Sequence, residues 1–171
     1  MTSILTNPFL YLSSKLIEEK DFQDKLNIIS KFNYSHFEKW FQVELSCFFE
    51  KNNCDHFDKF EWKAEKSIIE GKIRPDFTVS FVDGKTFFTE IKQNNNFNDC
   101  LTSMINDFDK VVNVIGTQKS ENVNCIGIFE TDSRNESKLE ACKNEFERYA
   151  FLFDKLEEIK ILNTKYSLMY F

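Results

Sequence analysis

Glycine, proline and histidine are scarce in this chain of 171 residues, which has four glycines, two prolines and two histidines. The sequence therefore has no glycine-rich phosphate loop, and its composition is unlike that of disordered or collagen-like chains. Ser-His-Asp and Cys-His catalysis need a histidine in a defined place. His36 and His56 are more simply interpreted as surface or capping-region residues. Any catalytic chemistry must rest on other side chains.

The five cysteines are widely spaced and form no CxxC motif. This pattern favours reduced thiols over a disulfide framework. Cys54 and His56 have the right chemistry for one half of a structural zinc site, but the sequence contains no matching second pair.

Long apolar runs, internal repeats and blocks of like charge are also absent. No uncharged run approaches the roughly 20 residues that span a bilayer. We therefore expect one cytoplasmic domain over residues 1–171 with no membrane segment. Its expected parts are a helical extension at 1–34, a core at 35–130, and a final helix and strand at 131–171. The net charge of −6 argues against nonspecific coating of nucleic acid, although a bound metal ion would bring positive charge of its own.

The first part of the chain has helical patterns. Asn7-Pro8 has the form of an N-cap and first helical residue, and a second helix is predicted over Phe22 to Ser30. Ser35 to Glu38 has the S-x-x-E form of a capping box that opens a third helix. The apolar stripe of this third helix comprises Phe37, Trp40, Phe41, Leu45 and Phe48.

From Phe60 the apolar period changes to that of strands, and the first strand is predicted to end at Glu70-Gly71. Two more strands, Arg74 to Val82 and Lys85 to Lys92, are joined at Asp83-Gly84, a strong hairpin signal. The later predicted elements are a helix, a strand, a helix and a closing strand, at Asn98 to Val114, Asn124 to Glu130, Asn135 to Leu156 and Ile159 to Phe171. This order predicts an α/β fold with a mixed sheet: an antiparallel meander, then a parallel strand reached by a helical crossover, flanked by helices.

Two carboxylates and a lysine lie on the paired strands: Asp76, Glu90 and Lys92. Mg²⁺ and Mn²⁺ prefer carboxylate, carbonyl and water oxygens, and the backbone carbonyl of Ile91 can supply one more ligand. Strand periodicity places Glu90 and Lys92 on one face and Ile91 on the other. The spacing therefore predicts a divalent-metal site with a cation beside it.

The loop length of the hairpin decides whether Asp76 joins this site. A two-residue loop at Asp83-Gly84 pairs Asp76 with Ile91 and turns Asp76 to the wrong face. A three-residue loop with Gly84 in the left-handed conformation pairs Asp76 with Glu90 instead. The metal site therefore predicts an odd-length loop, or a bulge in the strand of Asp76.

A third acidic candidate, Glu44, lies seven residues after Phe37 within the apolar stripe. Its carboxylate needs a partner, since a buried unpaired charge is costly. That partner is either a metal ion or a nearby lysine. Glu38 is the rival candidate, but the capping box already gives it a structural role.

Pro75-Asp76 and, after thirteen intervening residues, Glu90-Ile91-Lys92 occupy adjacent strands that follow an acidic helix. This arrangement resembles the PD-(D/E)xK nuclease superfamily, also called restriction-endonuclease-like, over roughly Ser35 to Glu130. The resemblance implies that Asp76 and Glu90 bind the metal ion and that Lys92 positions or polarises the attacking water.

The resemblance further implies an accessory ligand role for Glu44 and an assisting role for Gln93. It implies phosphodiester hydrolysis that depends on Mg²⁺, with Mn²⁺ able to substitute. The expected substrate is nucleic acid, DNA in particular, in restriction, repair or mobile-element defence. A homodimer or a protein partner would enlarge the small surface that this chain offers for base recognition.

Two other interpretations remain open at this stage. The same fold can serve as a non-catalytic module that binds protein or nucleic acid, which the acidic charge would suit. Alternatively, Asp76, Glu90 and Lys92 form a salt-bridge cluster on the solvated face of an unrelated α/β protein, where it would add little stability.

Overall fold

The computed structural model describes residues 8–32, 37–52, 60–65 and 73–171. Several predicted features lie outside these ranges: Asn7, the capping-box residues Ser35 and His36, the Cys54 and His56 pair, and the end of the first predicted strand. Within the described ranges, no helix is both long and apolar enough to cross a bilayer.

In the part of the chain that the structure describes, three helices precede the sheet: α1 (Pro8–Leu16), α2 (Lys20–Lys31) and α3 (Glu38–Lys51). The apolar stripe predicted for α3 faces the core, since Phe41 and Leu45 are both completely buried. Helix α3 begins at Glu38, after Phe37 in the N-cap position without a side-chain cap. The Glu38 side chain therefore lies in the first turn of α3.

Six strands of the described ranges form one mixed sheet: β1 (Phe60–Ala64), β2 (Phe77–Phe81), β3 (Thr86–Gln93), β4 (Val123–Glu130), β5 (Glu157–Lys160) and β6 (Tyr166–Tyr170). Their order across the sheet is β1-β2-β3-β4-β6-β5. All neighbours are antiparallel except β3 and β4, which are parallel and connected through helix α4 (Phe97–Ile115). The predicted meander and helical crossover are thus confirmed.

The last helix and the last strand are each predicted as one continuous element, and these predictions are wrong because each is divided in two. The helix is interrupted, with α5 (Glu136–Glu145) and α6 (Ala150–Lys155) separated by a 3-10 turn. The turn places Tyr149 edge-on against Phe108 of α4, with ring centroids 5.4 Å apart. The closing segment is the hairpin of β5 and β6, whose turn contains Asn163 at a positive φ of 59°.

The sheet separates two apolar cores. On one face, α1, α2 and α3 cover residues such as Phe77 and Ile91. On the other face, α4, α5 and α6 cover residues such as Phe88 and Cys125. Gly127 of β4 faces α4, and its missing side chain lets that helix pack closely against the sheet.

Candidate metal centre

The hairpin of β2 and β3 has the register that the metal site requires. Phe77 pairs with Thr89, so the same register continues to Asp76 opposite Glu90. The loop contains three residues and ends at Gly84, whose φ is +86°. It is closed by a hydrogen bond of 2.8 Å from the Phe81 N–H to the Lys85 carbonyl. The predicted odd-length loop is therefore confirmed.

Asp76 and Glu90 form a pair of buried carboxyl groups. The Asp76 side chain is 12% exposed, and Glu90 is 7% exposed. Asp76 Oδ2 accepts a hydrogen bond of 2.7 Å from the backbone N–H of Ile91, which fixes this carboxylate directly before the start of β2. Asp76 lies close enough to Glu90 for its charge to act on the Glu90 carboxyl group.

The pair binds protons more strongly than isolated carboxyl groups do. Burial, reinforced by the charges of Asp76 and Asp107, raises the pKa of Glu90 to about 8. Burial also raises the pKa of Asp76, against the opposing effects of the Ile91 hydrogen bond and the charge of Lys92. At neutral pH these two carboxylates therefore require a proton or a cation between them.

Lys92 lies on the same face as Glu90 and is held by acidic side chains from two helices. Its Nζ atom is 2.6 Å from Asp107 Oδ2 in α4 and 3.9 Å from Glu38 Oε2 in α3. Burial alone would lower the pKa of Lys92, but Asp107 and Glu38 outweigh that effect and raise it. The ammonium group is therefore charged throughout the physiological pH range.

Helix α3 contributes Glu38 to this cluster and directs Glu44 elsewhere. Glu38 lies beside Lys92, with its Oε2 atom 3.9 Å from Lys92 Nζ. Glu44 lies about 9 Å further along the helix and about a third of a turn away. Both of its oxygens are 3.0 Å from Lys25 Nζ in α2. A lysine thus supplies the partner that the Glu44 carboxylate needed, which is one of the two alternatives that the sequence left open.

The side chain of Gln93 stabilises the junction between β3 and α3. Its Oε1 accepts from the backbone N–H of Phe37 at 3.3 Å, and its Nε2 donates to Asn95 Oδ1 at 3.2 Å. These contacts help to hold the first turn of α3, which carries Glu38, next to Lys92. The assisting role of Gln93 stays a prediction, and its side chain has a structural contact in this arrangement.

The two carboxylates of Asp76 and Glu90 suit Mg²⁺, which keeps several water ligands, better than a metal ion that is bound by side chains alone. Among the described residues, no three His, Cys, Asp or Glu side chains come together in a way that could hold a metal ion. Mg²⁺ is typically bound through one or two carboxylates and keeps several waters. Asp76 and Glu90 supply two carboxylates, and the Ile91 side chain is completely buried in the core while its backbone remains beside them.

From the sequence, the helix that carries Asp107 is expected to pack beside the site, with no catalytic role for Asp107, and Glu38 is given only a structural role. Asp107 follows Cys100 and Met104 by seven and three residues, so it lies within the apolar stripe of α4. An acidic residue in such a stripe was the signal that singled out Glu44, and the same signal identifies Asp107.

Comparisons of the chain with protein-family models, with curated proteins and with solved structures return no match.

Proposed function

We propose that this chain is a Mg²⁺-dependent phosphodiester hydrolase with a restriction-endonuclease-like core, and that its substrate is DNA. The observation that carries the proposal is the register that sets Asp76 opposite Glu90, with Lys92 two residues along the same strand face. A salt-bridge cluster on a solvated face would not require the Asp76 and Glu90 carboxyl groups to be buried. Exposed ion pairs of that kind contribute little stability.

The residues of the site have separable roles in this proposal. Asp76 and Glu90 would hold the divalent ion, and the backbone hydrogen bond from Ile91 keeps Asp76 oriented toward Glu90. When bound, such an ion supplies Lewis-acid chemistry, which activates water near neutral pH and offsets negative charge on a phosphoryl group. Lys92 presents a permanent positive charge that orients the attacking water or stabilises charge developing on the phosphate.

The runner-up is a non-catalytic module that binds nucleic acid or protein. One observation favours it: the nearest partners of Lys92 are Asp107 and Glu38 rather than the carboxylate pair. The net charge of −6 also suits a protein partner better than a polyanion.

The test is cleavage of labelled single-stranded and double-stranded DNA and RNA in Mg²⁺ or Mn²⁺, with an EDTA control. We expect cleavage of DNA that is lost in Asp76→Asn, Glu90→Gln and Lys92→Ala. The matched control is Lys160→Ala, because Lys160 is an exposed lysine on the edge strand β5. Binding without cleavage under all of these conditions would favour the module.

A further inference from the structure

The spacing of Glu90 and Lys92 raises an electrostatic problem. Residues two apart on a strand face have α-carbons about 7 Å apart, within reach of a lysine side chain. Nothing in the local geometry of β3 prevents the Lys92 ammonium group from binding directly to the Asp76 and Glu90 carboxylates. In that arrangement the lysine would occupy the position that a divalent cation needs.

The structure shows a different arrangement. Lys92 Nζ is 2.6 Å from Asp107 Oδ2, and the second acidic neighbour, Glu38, is 3.9 Å away. No ion pair within the described ranges involves Glu90. The ammonium group that is nearest in sequence to Glu90 is thus bound to helix α4.

Asp107 is well placed to fix Lys92. Its side chain is 17% exposed, and its two oxygens bind different lysines, Oδ2 contacting Lys92 and Oδ1 contacting Lys110 at 2.6 Å. Helix α4 packs closely on the sheet at Gly127, which is the partner of Lys92 on the neighbouring strand. The position of Asp107 is therefore set by the packing of α4 on the sheet and by two ion pairs.

Resting on the proposed function, we infer that Asp107 is a positioning residue: it holds the Lys92 ammonium group out of the position that a divalent cation needs between Asp76 and Glu90. Lys92 then stays beside the cation site instead of filling it. The exposed Lys39, whose Nζ is 4.0 Å from Asp76 Oδ1, approaches the pair from outside.

A double-mutant cycle on Mn²⁺ affinity tests this inference without any substrate. Mn²⁺ binding is followed by electron paramagnetic resonance in the wild type, Asp107→Asn, Lys92→Met and the double variant. We expect Asp107→Asn alone to weaken Mn²⁺ binding at least about fivefold. This is the loss that results if the arrangement with Lys92 held away from Asp76 and Glu90 falls to about one fifth of the population. In the Lys92→Met background the same change should have less than about a twofold effect, because there is no ammonium group left to release.

An equal loss of affinity in both backgrounds would overturn the inference, since Asp107 would then act only as a nearby negative charge. An unchanged affinity in Asp107→Asn would overturn it as well. Asp107→Glu should keep most of the affinity, because it keeps the carboxylate that binds Lys92. The matched control is Asp109→Asn on the same helix, where Asp109 pairs with Arg148 at 2.9 Å.

A second measurement separates this inference from the proposed function. If the wild type binds no Mn²⁺, the metal site of the proposed function is refuted. The positioning role of Asp107 is then tested by the NMR signal of the Lys92 ammonium group. A Lys92 signal that shifts or broadens in Asp107→Asn, but not in Asp109→Asn, supports the positioning role. A Lys92 signal that is the same in wild type and Asp107→Asn overturns it.

Discussion

Glu90 should destabilise the metal-free protein at alkaline pH, and Glu90→Gln should remove that effect. In the folded protein Glu90 binds its proton up to a pKa of about 8, compared with an ordinary value of 4.5. Between these two values the native state holds a proton that the unfolded state has released. The free energy of unfolding therefore falls as the pH rises through this window.

The size of the effect follows from the burial of the carboxyl group. The gap between 4.5 and about 8 corresponds to an upper bound of about 5 kcal/mol, at about 1.4 kcal/mol per pH unit. We expect roughly 2 to 3 kcal/mol, because water and side-chain movement around a charged carboxylate reduce its burial cost. At pH 8.5 in EDTA, Glu90→Gln should therefore be more stable than the wild type by this amount, and the difference should vanish near pH 5.

Urea unfolding monitored by tryptophan fluorescence measures this difference at a series of pH values. Saturating Mg²⁺ should restore the stability of the wild type at pH 8.5 and leave the stability of Glu90→Gln almost unchanged, because a ligand stabilises only the state that binds it. Glu61→Gln on β1 is the matched control, since the Glu61 side chain is 82% exposed. The reasoning fails if Glu90→Gln keeps the pH dependence of the wild type or is the less stable protein at pH 8.5.

Three further changes test the structure around the site. Gly127→Ala brings a β-carbon within 2.5 Å of Met104 Sδ and 2.9 Å of Cys100 Sγ. We expect the free energy of unfolding in urea to fall by about 1 to 3 kcal/mol. An unchanged midpoint would refute the close packing of α4. Gly84→Ala, at a φ of +86°, should cost about 1 to 2 kcal/mol in the same assay, whereas a gain in stability would contradict the left-handed loop. Glu44→Gln should cost less than about 1 kcal/mol and leave Mn²⁺ affinity unchanged, and a tenfold loss of affinity would reinstate Glu44 as a ligand.

The parts of the site that could be predicted from the sequence are those fixed by local geometry. Alternation along β3 determines that Glu90 and Lys92 share a face, and the requirement for Asp76 to join them determines the parity of the hairpin loop. Both follow from the two-residue period of a strand, which a sequence displays directly. No knowledge of distant elements is needed for either conclusion.

The parts that could not be predicted depend on contacts between distant elements. The apolar stripe of α3 marks Glu44 as a carboxylate that needs a partner, but only the packing of α2 shows that this partner is Lys25. Similarly, Asp107 is fifteen residues from Lys92 in sequence, and their contact depends on how closely α4 approaches the sheet. A helical pattern identifies the buried face of a helix and says nothing about which residue of another element will meet it.

The charge balance of the site links the proposed metal to the proposed substrate. Four carboxylates, those of Asp76, Glu90, Glu38 and Asp107, surround Lys92, while the exposed Lys39 and Lys110 contact Asp76 and Asp107 from outside. With Glu90 protonated, as its pKa of about 8 implies at neutral pH, three carboxylates balance three ammonium groups and the site offers a phosphate no net attraction. A divalent ion that displaces this proton would make the local charge positive. In the proposed function, metal and DNA would therefore bind cooperatively, because the bound cation provides the positive charge that a phosphate needs. Such coupling would reconcile the acidic chain with the polyanionic substrate that we propose.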